Sequence, residues 1–158
     1  MIGGPGAARA SALLLGLAAP GLAFAACLEL ASHPDGAALE RIALPASAPD
    51  FTLTYVHSVT RTPVEERYRV DGATLVETQM SFSQHGPGLP TAADAGSTMR
   101  TVDGRFVVTM ARGFEAIVMR VHADQAPELH ASGRAINLAA WGNRALALRA
   151  VAGACNTP

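Results

Sequence analysis

A histidine, a serine and two adjacent glutamates lie within one short segment, Phe51 to Val70, FTLTYVHSVTRTPVEERYRV. A serine nucleophile, a histidine base and an orienting carboxylate are the usual components of nucleophilic catalysis, and His57, Ser58 and Glu66 supply the three types. Their spacing argues against that use. Neighbours on an extended strand point to opposite faces, so Ser58 leaves the face that His57 occupies, and no nucleophile elbow surrounds it. A metal site drawn from His57, Glu66 and His85, with His33, His122 or His130 in reserve, lacks an HExxH motif or comparable close ligand spacing. Neither a metal nor a cofactor is therefore expected.

The elements that must position these residues follow from the alternation of apolar side chains. Phe51, Leu53 and Tyr55 recur with the period of a strand that buries one face, and the same parity brings His57 next along that face. Val64, Tyr68 and Val70 repeat the pattern on the return, with Glu66 as the polar exception. With a turn at Thr60 to Pro63, like faces pair when Tyr55 lies opposite Tyr68 and His57 opposite Glu66; a one-residue slip buries charge. An inward His facing an inward Glu reads two ways. It is a hydrogen bond that satisfies two buried polar groups and fixes the hairpin register, or it lines a ligand pocket.

Around this hairpin the chain reads as short strands. Leu28 to Leu30 and Leu39 to Leu44 precede it; after the Asp71-Gly72 turn, Thr74 to Met80 completes a three-stranded antiparallel meander. From Ser81 to Gly96 breakers accumulate, giving a long loop that either serves function or covers one end of the fold. Ser97 to Thr101 and Arg105 to Met110 form a hairpin about Asp103-Gly104. Phe114 to His122, Glu128 to His130, Ala135 to Leu138 and Ala145 to Val151 follow, with room for a short helical piece at Ala139 to Asn143. Nothing requires a long helix. The expected fold is all-β, a single-domain antiparallel sandwich or partly open barrel spanning residues 26–158.

Composition narrows location and partners. Twelve basic against thirteen acidic side chains leave a net charge of -1, and lysine is absent, so a nucleic-acid partner or an anionic membrane surface has no support. The 49% hydrophobic content owes much to alanine and to residues 1–25. There Arg9 precedes the apolar run Ser11 to Ala19, Pro20-Gly21 interrupts it, and Ala23-Phe24-Ala25 offers small residues at cleavage spacing. This predicts a cleavable export signal and a periplasmic protein without a membrane span after cleavage. The run is well short of the roughly 20 residues a spanning helix needs; an uncleaved anchor, or a lipoprotein with Cys27 as acceptor, are the alternatives. In an exported chain Cys27 and Cys155, the two cysteines, are expected to form a disulfide joining the first and last strands. Without export they read as free thiols.

Three motifs carry a resemblance. Tyr55-Val56-His57-Ser58-Val59, Thr62-Pro63-Val64-Glu65-Glu66 and Gly86-Pro87-Gly88-Leu89-Pro90, in this order, resemble a small exported bacterial family of unknown function. Its members are often encoded beside TRAP transporters of the TAXI type. The resemblance continues faintly through Arg134 to Leu138. Carried over by position, it marks His57, Ser58, Pro63, Glu65, Gly86, Gly88, Leu89 and Pro90, and it favours Glu65 where strand parity favours Glu66. A bulge or a shorter turn exchanges the two. Pro87 and His85 depart from the residues usual in that family. The resemblance implies a non-enzymatic accessory or binding protein of a TRAP-type uptake system, in contact with its solute-binding protein, its permease or a small organic solute. A small-molecule or metal-binding enzyme built on His57, a glutamate and the residue 82–90 loop is the second expectation, and a purely structural envelope domain is the third.

Overall fold

Runs in which every second residue is apolar fold here as strands with one buried face, as the pleat dictates. The computed structural model describes residues 24–151 together with Met1 and Cys155, so residues 2–23 of the expected export signal lie outside the described residues. The strands are β1 (Phe24–Ser32), β2 (Ala38–Pro45), β3 (Asp50–Val56), β4 (Pro63–Asp71), β5 (Thr74–Phe82), β6 (Thr98–Val102), β7 (Arg105–Phe114), β8 (Ile117–Arg120), β9 (Glu128–Ala131), β10 (Arg134–Asn137) and β11 (Ala145–Val151). They form two antiparallel sheets, ordered β2-β1-β11-β8 and β10-β9-β3-β4-β5-β7-β6. The sheets pack as a sandwich and do not close into a barrel, which decides between the two expected all-β architectures. Leu28, Leu30, Leu146 and Leu148 from the small sheet meet Phe51, Leu53, Leu75 and Leu129 from the large one. Each such buried side chain contributes about 1.5–3 kcal/mol. Among the described residues no helix is long and apolar enough to cross a membrane.

The ends of the fold are tied as expected. β1 pairs with β11 on one side and β2 on the other, and Cys27 is bonded to Cys155, with their Cα atoms 5.2 Å apart. On the outer face of the same sheet, Glu29 lies between its register partners Arg41 and Arg149, each donating to it at 2.7 Å. Burial pushes this carboxyl up, but the hydrogen bonds and charges of Arg149 and Arg41 outweigh it and hold Glu29 below its ordinary value. The 3₁₀ turn at Leu138–Trp141 falls at the site read as a short helical piece, opened by the Asn137 side chain accepting from the Ala139 N–H.

The β3-β4-β5 meander and the β6-β7 hairpin form as read, but two details differ. Phe114 ends β7 instead of starting the next strand, because β7 stays paired with β5 as far as Leu75 opposite Phe114. The β3-β4 register is also displaced: Tyr55 faces Val64, Leu53 faces Glu66 and Phe51 faces Tyr68. The turn comes earlier than expected. The His57 N–H bonds the Thr62 carbonyl and the Arg61 N–H bonds the His57 carbonyl, with Arg61 in the left-handed region at φ 55°. Pro63 thus becomes the first residue of β4, a position that tolerates its missing N–H. The displacement is even, so each inward side chain keeps its face and changes only its partner.

The inner face of the large sheet carries two apolar clusters. The main one fills the space between the sheets; the second, Val64, Met80, Phe82, Leu89 and Val108, lies where the small sheet does not reach. Leu89 from the long connection between β5 and β6 completes the second cluster. A bulge at Thr78 links them, since Arg67 pairs with Gln79 but Tyr68 with Glu77. The inward set on β5 therefore changes parity, from Leu75 and Glu77 to Met80 and Phe82.

Candidate functional site

The residues singled out in the sequence separate into two groups. His57 is buried, at 7% exposure, but it lies past the end of β3 and meets neither Glu65 nor Glu66. Its Nδ1 accepts from the Val59 and Thr60 N–H groups, each at 3.2 Å, so its proton sits on Nε2, which donates to the Pro87 carbonyl at 3.1 Å. The expected His57–Glu66 pairing fails because an α-turn closed by backbone bonds, with the imidazole as its cap, ends the strand before His57 can reach across. Ser58 is exposed in that turn and has no free imidazole nitrogen for a base. Glu65 points outward and pairs with Arg67 at 2.7 Å.

The loop from His85 to Pro90 covers His57. A Cβ on Gly86 would stand 2.8 Å from Thr60 Cγ2 and 3.0 Å from His57 Cε1, so only glycine lets the backbone approach the ring. Gly88 adopts φ +85°, a left-handed conformation that favours glycine. The Leu89 N–H closes a turn on the Gly86 carbonyl, which drives Leu89 into the second cluster. His85 Nδ1 bonds the Pro90 carbonyl at 2.9 Å, and its ring packs against Phe106 at 4.2 Å. His57, Gly86, Gly88, Leu89 and Pro90 thus lock a loop onto a hairpin tip.

Glu66 belongs to the second group. Even positions of β4 face inward, and Glu66 sits there between Val64 of the second cluster and Tyr68 of the main one. Tyr55 donates to one carboxylate oxygen at 2.8 Å and Tyr68 to the other at 2.7 Å. Burial first, then the charge and hydrogen bond of Glu66, push both phenols well above their ordinary 10.0, so both remain donors. Tyr68 is paired with Glu77 on β5, and Glu77 with Arg112 on β7. Glu77 is 2% exposed; its Oε2 lies 3.8 Å from Arg112 Nη1, and its Oε1 has no hydrogen-bond partner among the described residues. Burial, then the neighbouring Glu66 charge, raise its carboxyl from 4.5 to about 7, with Arg112 opposing. A polar seam of Tyr55, Glu66, Tyr68, Glu77 and Arg112 therefore crosses the large sheet between the two clusters.

The seam reaches a cleft. Beside the short edge strand β8 a cleft of about 250 Å³ is walled by Leu53, Ile117, Met119 and Leu138, with Tyr55 and Glu66 among its lining and Arg120 exposed beside them. A second, of about 390 Å³, lies between β7 and the long loop near Arg112 and Asp94, which are paired at 3.3 Å. Among the described residues no three His, Cys, Asp or Glu side chains gather as a metal centre would need. What the first cleft offers is an apolar wall with one oriented carboxylate, backed by a second that is poised near neutrality. A buried carboxyl with a raised proton affinity, as Glu77 has, set behind the lining of a cleft makes that cleft a candidate site.

Sequence reasoning identified Glu66 but not its tyrosine partners or Glu77. The parity that makes Leu75 inward also makes Glu77 inward, and this is the signal that was present in the sequence. No curated protein and no solved structure matches the chain. A family model does match, over residues 51–138, from the first inward residue of β3 to the 3₁₀ turn that closes the cleft. On that match the chain belongs to the family of the domain of unknown function DUF1850.

Proposed function

We propose that the protein is a non-enzymatic, exported accessory of a TRAP-type uptake system, and that it holds a small organic solute in the cleft beside β8. The observation that carries the binding reading is the floor of that cleft. Glu66 is fixed by two phenolic donors under an apolar wall, the composition of a site that orients a small ligand. The transport setting rests on the three shared motifs and on the export signal read in residues 1–25. The locked loop and hairpin tip add a surface for a protein partner, since the rigid turn presents Val59 at 65% exposure. Rigid, preorganised contact surfaces lose less entropy on association.

Two measurements test this reading. A tagged protein should co-purify, after crosslinking in its host, with the binding protein or permease of a TRAP system. Deletion of the gene should slow uptake by that system, and the wild-type gene should restore it where Glu66→Gln does not. Recovery of no transport component together with unaltered uptake in the deletion strain overturns it.

A further inference from the structure

We propose that the cleft beside β8 takes an organic cation, a primary ammonium on a short apolar body, whose charged end is received by Glu66 and whose carbon body lies along Ile117 and Met119. This rests on the cleft being a ligand site and goes on to name the ligand's chemistry. Tyr55 and Tyr68 each occupy one acceptor position on Glu66, one per oxygen, so each oxygen keeps capacity for a further donor. The second observation is independent of Glu66's own bonds. Among the described residues, Glu77, almost fully buried, keeps an oxygen without any donor, and its counter-charge is the exposed Arg112 at 3.8 Å from the other oxygen.

Two carboxylates sharing one exposed guanidinium, 3.8 Å from Glu77, leave the interior of the seam short of positive charge among the described residues. Buried charge lacking a partner is costly, so a ligand that brings a cation is favoured there and a neutral or anionic one is not. Arg120, on the cleft lining, is exposed and screened by water, so it opposes a cation far less than the half-buried Glu66, backed by the buried Glu77, attracts one. The volume of about 250 Å³ equals roughly eight waters at about 30 Å³ each, which limits the body to a small ring or a short chain. Because Glu77 gives up its proton near pH 7 under the charge of Glu66, against Arg112 and beside the protonated Tyr68, cation binding is expected to strengthen from pH 6 to pH 8.

The test compares three probes of similar size, phenethylamine, phenethyl alcohol and hydrocinnamate, titrated by NMR into the disulfide-bonded domain at pH 8. The amine should bind at least about tenfold more tightly than the alcohol, as expected for a charge-assisted bond, with the carboxylate weakest. Glu66→Gln should abolish the preference for the amine. Glu77→Gln, which removes charge without touching the cleft lining, should weaken the amine severalfold and leave the alcohol unchanged. Equal binding of amine and alcohol, or a preference that survives Glu66→Gln in a variant with an unchanged thermal melt, overturns the cation and leaves the cleft as a site for other ligands. Binding of none of the three overturns the cation and the cleft together.

Discussion

Replacing Glu77 with glutamine should make the protein more stable at pH 8 and leave it nearly unchanged at pH 4.5. The side chain is 2% exposed, one of its oxygens lacks a donor among the described residues, and its carboxyl is raised from 4.5 to about 7 by burial and by Glu66. A group that binds its proton more tightly in the folded than in the unfolded chain favours folding while it is protonated in both. That advantage is full below pH 4.5, declines between 4.5 and about 7, and is gone above. At about 1.4 kcal/mol per tenfold change in proton affinity, the displacement corresponds to about 3 kcal/mol. Wild type should therefore lose on the order of 3 kcal/mol from this group across that window, and the isosteric amide, which cannot ionise, should lose none of it. Loss of the Arg112 contact, at 3.8 Å and on an exposed arginine, offsets less than about 1 kcal/mol of the gain. Urea denaturation followed by the single tryptophan, Trp141, which packs on the main cluster, reports the difference at half-unit steps from pH 4.5 to 8.5. Equal slopes of stability against pH in the two proteins, or a variant less stable than wild type at pH 8, refutes the assignment of an ionised carboxylate only partly offset by Arg112 to the seam.

Three further outcomes follow from the geometry. Gly86→Ala places a methyl against the β-branched Thr60 and the hydrogen-bonded His57 ring, and should lower stability by about 1–3 kcal/mol at unchanged urea m-value. Breaking the disulfide with Cys27→Ser opens a loop closed over a sequence separation of 128 and should cost roughly 4–5 kcal/mol, read as a fall in Tm that reductant reproduces in wild type. Glu29→Gln should cost about 1–3 kcal/mol at pH 7 by stripping charge from the hydrogen bonds of Arg41 and Arg149. Because the native carboxyl is held below 4.5, that cost should shrink as the pH falls below 4.5; a cost that persists undiminished at pH 2.5 contradicts the pairing.

Most of the sheet architecture was legible because strand parity is a local property. Leu28 and Leu30, Phe51 and Leu53, and Leu146 and Leu148 declare their buried face by spacing alone, and Asp103-Gly104, both at positive φ, declares its turn. The Cys27–Cys155 bond followed from number and position only on the premise of an exported chain. The register of β3 on β4 was not, because it depends on how the turn is closed. His57 looked like the next residue of a strand, whereas its imidazole caps the turn and its backbone is spent on Arg61 and Thr62. The site suffered for the same reason. Glu66 was correctly placed on the inner face, but its partners depend on a register displaced by the turn and on a neighbour, Glu77, whose inward aim was readable and whose closeness to Glu66 required the β4-β5 pairing.

The division of the inner face has a consequence for how the molecule opens. Hydrophobic clusters that share side chains unfold together, whereas clusters parted by polar residues have fewer shared contacts to lose. The Phe82–Leu89–Val108 cluster is roofed by an irregular loop and the main cluster by a disulfide-closed sheet, so amide protons of β6 and of the outer half of β7 should exchange through a partial opening. Those of β1 and β11 await global unfolding. The chain then behaves as a rigid clasped half carrying a half that can breathe, and the carboxylate pair lies on the line along which they part.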